Sequence, residues 1–156
     1  MKAIRTNSEN KDFINLVKQL DAYLKITDGD EHDYYNQFNH VDVLKNVVVV
    51  YVDTEINSAQ GKIAVGCGAF KKFNDTTVEL KRMFVSKEQR GKGVAQKVLL
   101  ALEIWAKELG FKSCVLETGK RQVEAVQFYK KCNYEIIPNY GQYKGMENSI
   151  CFEKKV

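Results

Sequence analysis

The chain has 156 residues, of which 44% are hydrophobic and 28% are charged, and its formal net charge is +4. A chain of this length and composition forms one globular unit with a sizeable core, so we expect residues 1–156 to be a single domain. Its lysines and arginines are scattered along the sequence, which favours a small anionic ligand over a nucleic-acid surface. The longest apolar run, residues 47–52, is too short to span a bilayer, so no membrane partner is expected.

The cysteines and histidines favour a reducing compartment and no metal. Because the four cysteines form no CxxC pair, buried free thiols are favoured over disulfides or zinc ligands: they are Cys67, Cys114, Cys132 and Cys151. His32 and His40 show no metal-ligand spacing, so no metal site is predicted. The N-terminal segment lacks the apolar core of a signal peptide, and we therefore expect a cytoplasmic protein.

The first elements in chain order are a strand and an amphipathic helix. Residues 2–5 predict a short strand, and Thr6 and Glu9 have the spacing of a capping box ahead of a helix over residues 8–26. The apolar residues recur at helical intervals along that segment: they are Phe13, Leu16, Val17, Leu20 and Leu24. The acidic segment 27–38 predicts a loop and the first turn of a second short helix.

Three strand segments follow, over residues 46–55, 62–73 and 77–86. Short turns separate them, which predicts an antiparallel meander. The first segment is a continuous β-branched run, a pattern typical of a strand that is buried on both faces.

The second half alternates helices and strands. A long helix opens within residues 88–100 and ends at Gly110, with Phe111 as the hydrophobic residue that follows. Its predicted buried stripe is Val94, Val98, Leu102, Trp105, Ala106 and Leu109. A second helix over residues 121–133 ends at Asn133, a residue that tolerates left-handed backbone. The remaining segments, 112–119, 134–138 and 148–155, read as strands, so the fold class is one mixed-sheet α/β domain.

The segment EQRGKGVAQKVLL, residues 88–100, places basic side chains at the start of the long helix. Acidic residues are the ones that complement the positive end of a helix dipole, so Arg90, Lys92 and Lys97 indicate an anionic ligand. A strand, a glycine-rich loop and a helix N-terminus together bind phosphate through free backbone N–H groups. The spacing fits neither GxxxxGK[ST] nor GxGxxG. A basic, solvated turn is the alternative.

Two motifs carry a family resemblance. Arg90-x-x-Gly93-x-Ala95 resembles the R/Q-x-x-G-x-G/A signature of the GNAT superfamily, the acyl-CoA-dependent N-acyltransferases. Residues 122–134 are similar to its second signature, N-x-x-A-x-x-x-Y-x-x-x-G-F, with the alanine and tyrosine in place. Two positions depart from that signature, since Gln122 replaces the usual Asn and Asn133 the usual Gly. The resemblance extends over nearly the whole chain.

The resemblance implies a GNAT-like fold, in which the meander precedes a β-α-β-α-β-β order and the central sheet is splayed. It implies an N-acetyltransferase that moves the acetyl group of acetyl-CoA directly to a primary amine. The compact chain favours a small-molecule acceptor, and the frequency of dimers in the family implies a homodimer. A non-catalytic acyl-CoA-binding or sensing domain is the alternative.

The same resemblance assigns cofactor residues. The backbone at Met83, Phe84 and Val85 would pair with the pantetheine arm and supply an N–H group to the oxyanion. The predicted contacts to the rest of coenzyme A are Arg90, Gly91, Lys92, Gly93, Val94, Ala95, Gln122, Ala125 and Phe128. Ordinary packing of aromatic side chains is the alternative at Phe128.

The resemblance also assigns catalytic roles. Glu79, on the strand before the glycine motif, is the predicted general base, and pairing with a cross-strand lysine is the alternative. Tyr129 is the predicted general acid, because a phenol with a pKa near 10 suits a thiolate with a pKa near 8.5; core packing is the alternative. Glu117 is a second candidate for the base, or a ligand of the substrate.

Two segments are candidates for the acceptor site. Acidic side chains after the first helix could attract a cationic amine, although helix capping by Asp30 and Asp33 is favoured: the acidic residues are Asp28, Asp30, Glu31 and Asp33. The aromatic loop 138–149 offers Tyr140, Tyr143, Glu147 and Asn148 as acceptor contacts, with a packed surface corner as the alternative.

Overall fold

The computed structural model describes residues 1–29, 44–56 and 59–156. Its strands are β1 (Lys2–Thr6), β2 (Asn46–Ile56), β3 (Ala59–Lys72), β4 (Thr77–Val85), β5 (Ser113–Gly119), β6 (Glu135–Ile137) and β7 (Ser149–Lys155). Its α-helices in those ranges are α1 (Lys11–Asp28), α2 (Val94–Glu108) and α3 (Val123–Lys131), with short 3₁₀ turns at Lys87–Gln89 and Gly141–Tyr143. The second short helix predicted after residue 29 lies outside the described residues, as do Asp30, Glu31, His32, Asp33 and His40.

The described strands form one mixed sheet in the order β1-β2-β3-β4-β5-β7-β6. Strands β2, β3 and β4 are antiparallel neighbours, which confirms the predicted meander. Strand β4 pairs with β5 in parallel, and β7 runs antiparallel between β5 and β6. The mixed α/β class is therefore confirmed. No helix in the described ranges is both long and apolar enough to cross a membrane.

Strand β2 is buried on both faces, as the β-branched run predicts. Val47 and Val49 pack with Phe13 and Leu16 of α1. Val48 and Val50 belong to the cluster on the other face, which holds the apolar stripe of α2 and also Tyr129 of α3. Because side chains alternate along a strand, a run of four valines fills both cores at once.

Helix α1 starts later than its predicted capping box. The N-cap residue is Asn10, whose side-chain oxygen accepts a hydrogen bond from the backbone N–H of Phe13 at 2.9 Å. Thr6 is instead the last residue of β1, where it pairs with Val47 of β2. The capping-box prediction for Thr6 and Glu9 was therefore wrong, because pairing in the sheet holds Thr6 outside the helix.

Helix α2 ends as predicted, with Gly110 at φ 93° and the N–H of Phe111 bonded to the carbonyl of Ala106 at 3.1 Å. Leu109 is 54% exposed, so its place in the buried stripe was wrong. The backbone of Leu109 is still helical, with its N–H bonded to the carbonyl of Trp105 at 3.1 Å, so the periodicity places its side chain on the expected face but does not ensure that the core reaches it.

Helix α3 ends in the left-handed conformation predicted for its last turn. Asn133 has φ 71°, which a residue with a short polar side chain adopts at modest cost. The N–H of Tyr134 returns to the carbonyl of Tyr129 at 3.0 Å and closes this helix end.

The sheet opens between β4 and β5. Within the described residues, these strands pair only over Thr77–Glu79 and Ser113–Val115. Strand β4 also carries a bulge, because its register with β3 shifts between Cys67 and Ala69, opposite a residue with positive φ, Arg82 at 58°. The predicted splay of the central sheet is therefore confirmed.

Two glycines of β3 let α2 approach the sheet closely. A Cβ atom at Gly66 would lie 2.6 Å from a methyl group of Val94. At Gly68 it would lie 2.5 Å from the sulfur of Met83, 2.8 Å from Val98 and 2.9 Å from Leu102. Close packing therefore explains these glycines, and it holds α2 against β3.

We expect Gly68→Ala to lower the free energy of unfolding by about 1–3 kcal/mol, because Val98 and Leu102 are fully buried and cannot move aside freely. Urea denaturation of the purified protein measures this change. Gly61→Ala, in the same strand, is the matched control, since its Cβ would meet Thr54 at an ordinary 3.4 Å. Equal stability of the two variants would contradict the close-packing explanation.

Candidate functional site

Two cavities meet where β4 and β5 diverge. The larger, about 670 Å³, lies under the glycine-rich loop and is called the glycine-loop cavity. The smaller, about 130 Å³, lies over the carboxylates of Glu79 and Glu117 and is called the carboxylate cavity. Both are lined by Leu20, Met83, Gln122, Ala125 and Tyr129. These five residues therefore form the boundary at which the two cavities adjoin.

The glycine-loop cavity collects residues from both sequence motifs. Apart from Lys92, every residue predicted to contact the cofactor lines it: Met83, Phe84, Val85, Arg90, Gly91, Gly93, Val94, Ala95, Gln122, Ala125 and Phe128. Leu20, Tyr23 and Arg121 also line it. The sequence carries no motif for these three, because they come from α1 and from the turn before α3 and reach the cavity only through tertiary packing.

The loop before α2 has the backbone that its glycines allow. Gly91 and Gly93 have φ values of 78° and 84°, a region that other residues adopt only with strain. A Cβ on either would meet no other atom within 4 Å. These glycines are therefore needed for the turn of the chain, and the space beside the loop is open. Gly93 is the N-cap of α2, so the N–H groups of the first helical turn face this space.

Arg90 is held at the edge of this cavity by three contacts. Its Nε donates to the carbonyl of Val85 at 3.2 Å. Its guanidinium lies 5.2 Å from the ring centre of Tyr23 and 5.9 Å from that of Phe84. The cation is thus placed between α1 and β4, and the outer edge of the guanidinium still offers N–H donors to an anion.

Glu79 lies in the carboxylate cavity with several partners. It is 3% exposed, and the hydroxyl of Tyr140 donates to its Oε2 at 2.7 Å. The Nζ of Lys81 is 3.4 Å from its Oε1, and that of Lys71, directly across in β3, is 3.9 Å away. The structure thus gives Glu79 the cross-strand lysine that was the alternative to a role as base.

Glu117, on β5, has a different environment. The hydroxyl of Ser149 donates to its Oε2 at 2.6 Å. Burial raises the pKa of Glu117 to about 7, because desolvation of the charged form outweighs the stabilising effects of the Ser149 hydroxyl and the Lys81 charge. A carboxyl with this pKa exchanges its proton near neutral pH.

Lys81 is a buried cation between these carboxylates and the aromatic loop. Its side chain is 10% exposed, and its Nζ is 3.4 Å from the hydroxyl of Tyr143. Burial lowers the pKa of Lys81, and the negative charge of Glu79 opposes that shift. The carboxylate cavity therefore carries charges of both signs at close range.

Tyr129 of α3 lies at the boundary between the cavities and lines both. It is 6% exposed, and burial raises the pKa of its phenol above the ordinary value. Its ring packs against Phe128, Tyr134 and Phe152. Tyr129 therefore packs in the core, as the alternative predicted, and it also lines both cavities.

The acceptor candidates fall into three groups. Asp28 and Tyr143 line the carboxylate cavity. Tyr140 is bonded to Glu79, as described above. Glu147 is exposed on the loop, and the backbone carbonyl of Asn148 accepts the N–H of Lys120 at 2.8 Å. The described part of the chain holds no group of three or more histidine, cysteine, aspartate or glutamate residues arranged as a metal site.

Two comparisons with known proteins point to the same family. The model of the acetyltransferase (GNAT) family matches residues 15–134. An IAA acetyltransferase of Azospirillum brasilense is 29% identical over 142 residues, which cover 90% of this chain and 88% of that protein.

Solved structures share the fold. A candidate acyl-CoA N-acyltransferase of Klebsiella pneumoniae subsp. pneumoniae superposes with a TM-score of 0.74 at 25% identity, over 99% of this chain and 96% of its own. A GNAT family acetyltransferase of Elizabethkingia anophelis with acetyl-CoA bound has a TM-score of 0.64 at 14% identity, over 99% and 97% of the two chains.

The raised pKa of Glu117 predicts a pH-dependent stability difference from Glu117→Gln. Since the folded protein binds this proton more tightly than the unfolded chain, whose value is 4.5, the contribution is fully present below about pH 4.5 and is lost as pH rises through about 7. The free energy of unfolding of the wild type, relative to Glu117→Gln, should fall by about 2–3 kcal/mol over that range. Urea denaturation at a series of pH values measures it.

Ser149→Ala sharpens this measurement. It removes the hydroxyl that stabilises the charged carboxylate, so we expect the decline to extend to higher pH than in the wild type. Parallel stability curves for the wild type and Glu117→Gln would contradict the raised pKa.

Proposed function

The chain belongs to the acetyltransferase (GNAT) family, and on that basis we propose that it transfers the acetyl group of acetyl-CoA to the primary amine of a small molecule. One observation carries the proposal. The glycine-loop cavity and the carboxylate cavity share Tyr129 in their walls, and the carboxylate cavity holds a carboxyl with a pKa of about 7. An anion site and a proton acceptor thus lie next to each other, as an acyl transfer from a phosphate-bearing donor requires.

The glycine-loop cavity fits coenzyme A in size and chemistry. A volume of about 670 Å³ is within the usual range for ligand sites. The first turn of α2 offers N–H groups and the positive end of the helix dipole to a pyrophosphate, with Arg90 beside it. The exposed edge of β4 at residues 83–85 offers backbone groups to an amide-bearing arm. Acetyl-CoA supplies the activated acetyl thioester there.

Glu117 is the residue that we propose as general base, in place of Glu79. A base must be partly deprotonated near neutral pH and must still bind a proton, and the pKa of Glu117 meets both conditions. Glu79 already accepts a hydrogen bond from Tyr140 and has Lys81 beside it, so its oxygens are occupied by positive and donor groups. We assign Glu79 the role of holding Lys81 and the Tyr140 loop around the cavity.

Tyr129 is proposed to donate a hydrogen bond to the departing sulfur. Its raised pKa keeps the phenol protonated throughout the physiological range. Because a thiolate has a pKa near 8.5, complete transfer of the phenolic proton to sulfur would be uphill. We therefore propose that the tyrosine stabilises charge on the leaving group mainly as a hydrogen-bond donor, with its role as general acid still a prediction.

The acceptor is proposed to be a small amine. The carboxylate cavity has a volume of about 130 Å³, which suits a few heavy atoms rather than a folded protein surface. Asp28, at the end of α1, and Tyr143, from the aromatic loop, stand at its walls. A cytoplasmic location and a homodimer stay predictions.

We expect micromolar binding of acetyl-CoA to the wild-type protein and no measurable binding to Gly93→Glu. The substitution adds a side chain at a position with φ 84°, and it places a negative charge at the proposed pyrophosphate site. Isothermal titration calorimetry measures both affinities. Thermal unfolding of the variant checks that it is folded. If the wild-type protein does not bind acetyl-CoA, the loop before α2 is only a basic turn and the proposed function is contradicted.

We expect Glu117→Gln to lower kcat/KM by about 100-fold or more. We expect Tyr129→Phe to lower kcat while its affinity for acetyl-CoA is kept. Release of free coenzyme A with a panel of small amines provides the assay. The wild-type kcat/KM should rise with an inflection near pH 7 and level off above it, since the base acts when deprotonated. No turnover with any amine, in a protein that binds acetyl-CoA, would instead support the acyl-CoA-binding alternative.

Glu79→Gln separates the two candidate bases. The negative charge of Glu79 contributes to the raised pKa of Glu117, so this variant should keep the inflection of the pH profile but move it to lower pH. Loss of the inflection in Glu79→Gln, together with its persistence in Glu117→Gln, would return the role of base to Glu79.

A further inference from the structure

The bulge of β4 is tied to α1 by a buried arginine. The Nη1 of Arg82 lies 2.9 Å from Oδ1 of Asp21, and the arginine side chain is 7% exposed. A buried guanidinium without its partner is costly, so the position of Asp21 constrains where the Arg82 side chain lies. The ion pair therefore couples the middle of α1 to the strand beneath it.

The backbone at Arg82 is also unusual. Its φ of 58° is in the left-handed region, which costs a non-glycine residue about 1 kcal/mol or more. Such a conformation persists only where the surroundings hold it. Two contacts do so here, since the side chain is held by Asp21 and the carbonyl oxygen accepts a hydrogen bond from the Cys67 thiol at 3.4 Å.

The bulge lies beside the boundary between the two cavities. The residue before it, Lys81, lines the carboxylate cavity, and the residue after it, Met83, lines both. A bulge takes one residue out of register and turns the backbone groups that follow. The conformation of Arg82 therefore sets the direction in which the peptide groups at Met83 face the cleft.

We propose that Asp21 is a positioning residue for the transfer reaction. Through Arg82 it holds the bulge of β4, and the bulge in turn holds the backbone at Met83 toward the acetyl thioester. This inference rests on the proposed function, because it assigns Asp21 a role in that reaction. It adds a residue from α1, outside both sequence motifs, to those that govern turnover.

The chain offers a matched control on the same helix. Asp12 of α1 accepts a hydrogen bond from the hydroxyl of Tyr51 at 2.7 Å, which ties the helix to β2, away from the two cavities. Asp12→Asn removes one carboxylate and weakens one contact between α1 and the sheet, as Asp21→Asn does. A general effect of loosening α1 would appear in both variants, whereas a positioning effect would appear in Asp21→Asn alone.

The test compares kcat and KM in the amine panel for Asp21→Asn, Arg82→Ala and Arg82→Gly. We expect the first two to lower kcat by about 10- to 100-fold with little change in KM for acetyl-CoA, because misplaced groups weaken the transition state more than the ground state. Arg82→Gly should retain most of kcat, since glycine adopts positive φ without strain. In the double variant, Asp21→Asn should not lower kcat below that of Arg82→Gly alone.

Three results would overturn the proposal. They are a wild-type kcat in Asp21→Asn, an equal loss in Asp12→Asn, and a loss in Arg82→Gly as large as in Arg82→Ala. Amide resonances of residues 81–84, observed by NMR, give a readout that needs no turnover. They should shift in Asp21→Asn and stay in place in Asp12→Asn, and unchanged resonances in Asp21→Asn would also overturn it. A wild-type protein without turnover would contradict the proposed function, while these resonances would still decide the coupling.

Discussion

The organisation of this protein depends on the separation of β4 from β5 after Glu79. Parallel neighbours in a sheet normally satisfy each other's backbone groups, and here the pairing stops after three residue pairs. The edge of β4 beyond that point has polar groups to offer to a ligand. The loop before α2, the side chain of Glu117 on β5 and the ring of Tyr129 on α3 all converge on this opening. The end of pairing between β4 and β5 thus creates the opening at which the candidate site lies.

Helix α1 closes one side of the opening through three arginines from three different segments. Arg82 of the bulge pairs with Asp21, and Arg90 of the glycine loop stacks on Tyr23. Arg121, before α3, donates to the backbone carbonyl of Asp28 at 2.9 Å. Each arginine belongs to a wall of the cleft, so the position of α1 is set by the same segments that form the two cavities.

Two carboxylates close to each other acquire different properties from their partners. Glu79 has a phenol and lysines beside it, whereas Glu117 has a serine hydroxyl and a cost of desolvation that its partners do not balance. Burial alone therefore does not select a base. The arrangement of cations and donors around each carboxylate is the ground on which we propose one of them, and in this protein that arrangement comes from β3, β4, β7 and the aromatic loop.

The sequence by itself determined the features that depend on neighbouring residues. Periodicity predicted the described strands and helices, and turn chemistry predicted Gly110 and the left-handed Asn133. The motif spacing indicated the glycine loop. Only the tertiary structure decided which residue caps α1, why Gly68 is needed and which partners Glu79 and Glu117 have. These depend on contacts between segments far apart in the chain, such as Asp21 with Arg82, and no local pattern records them.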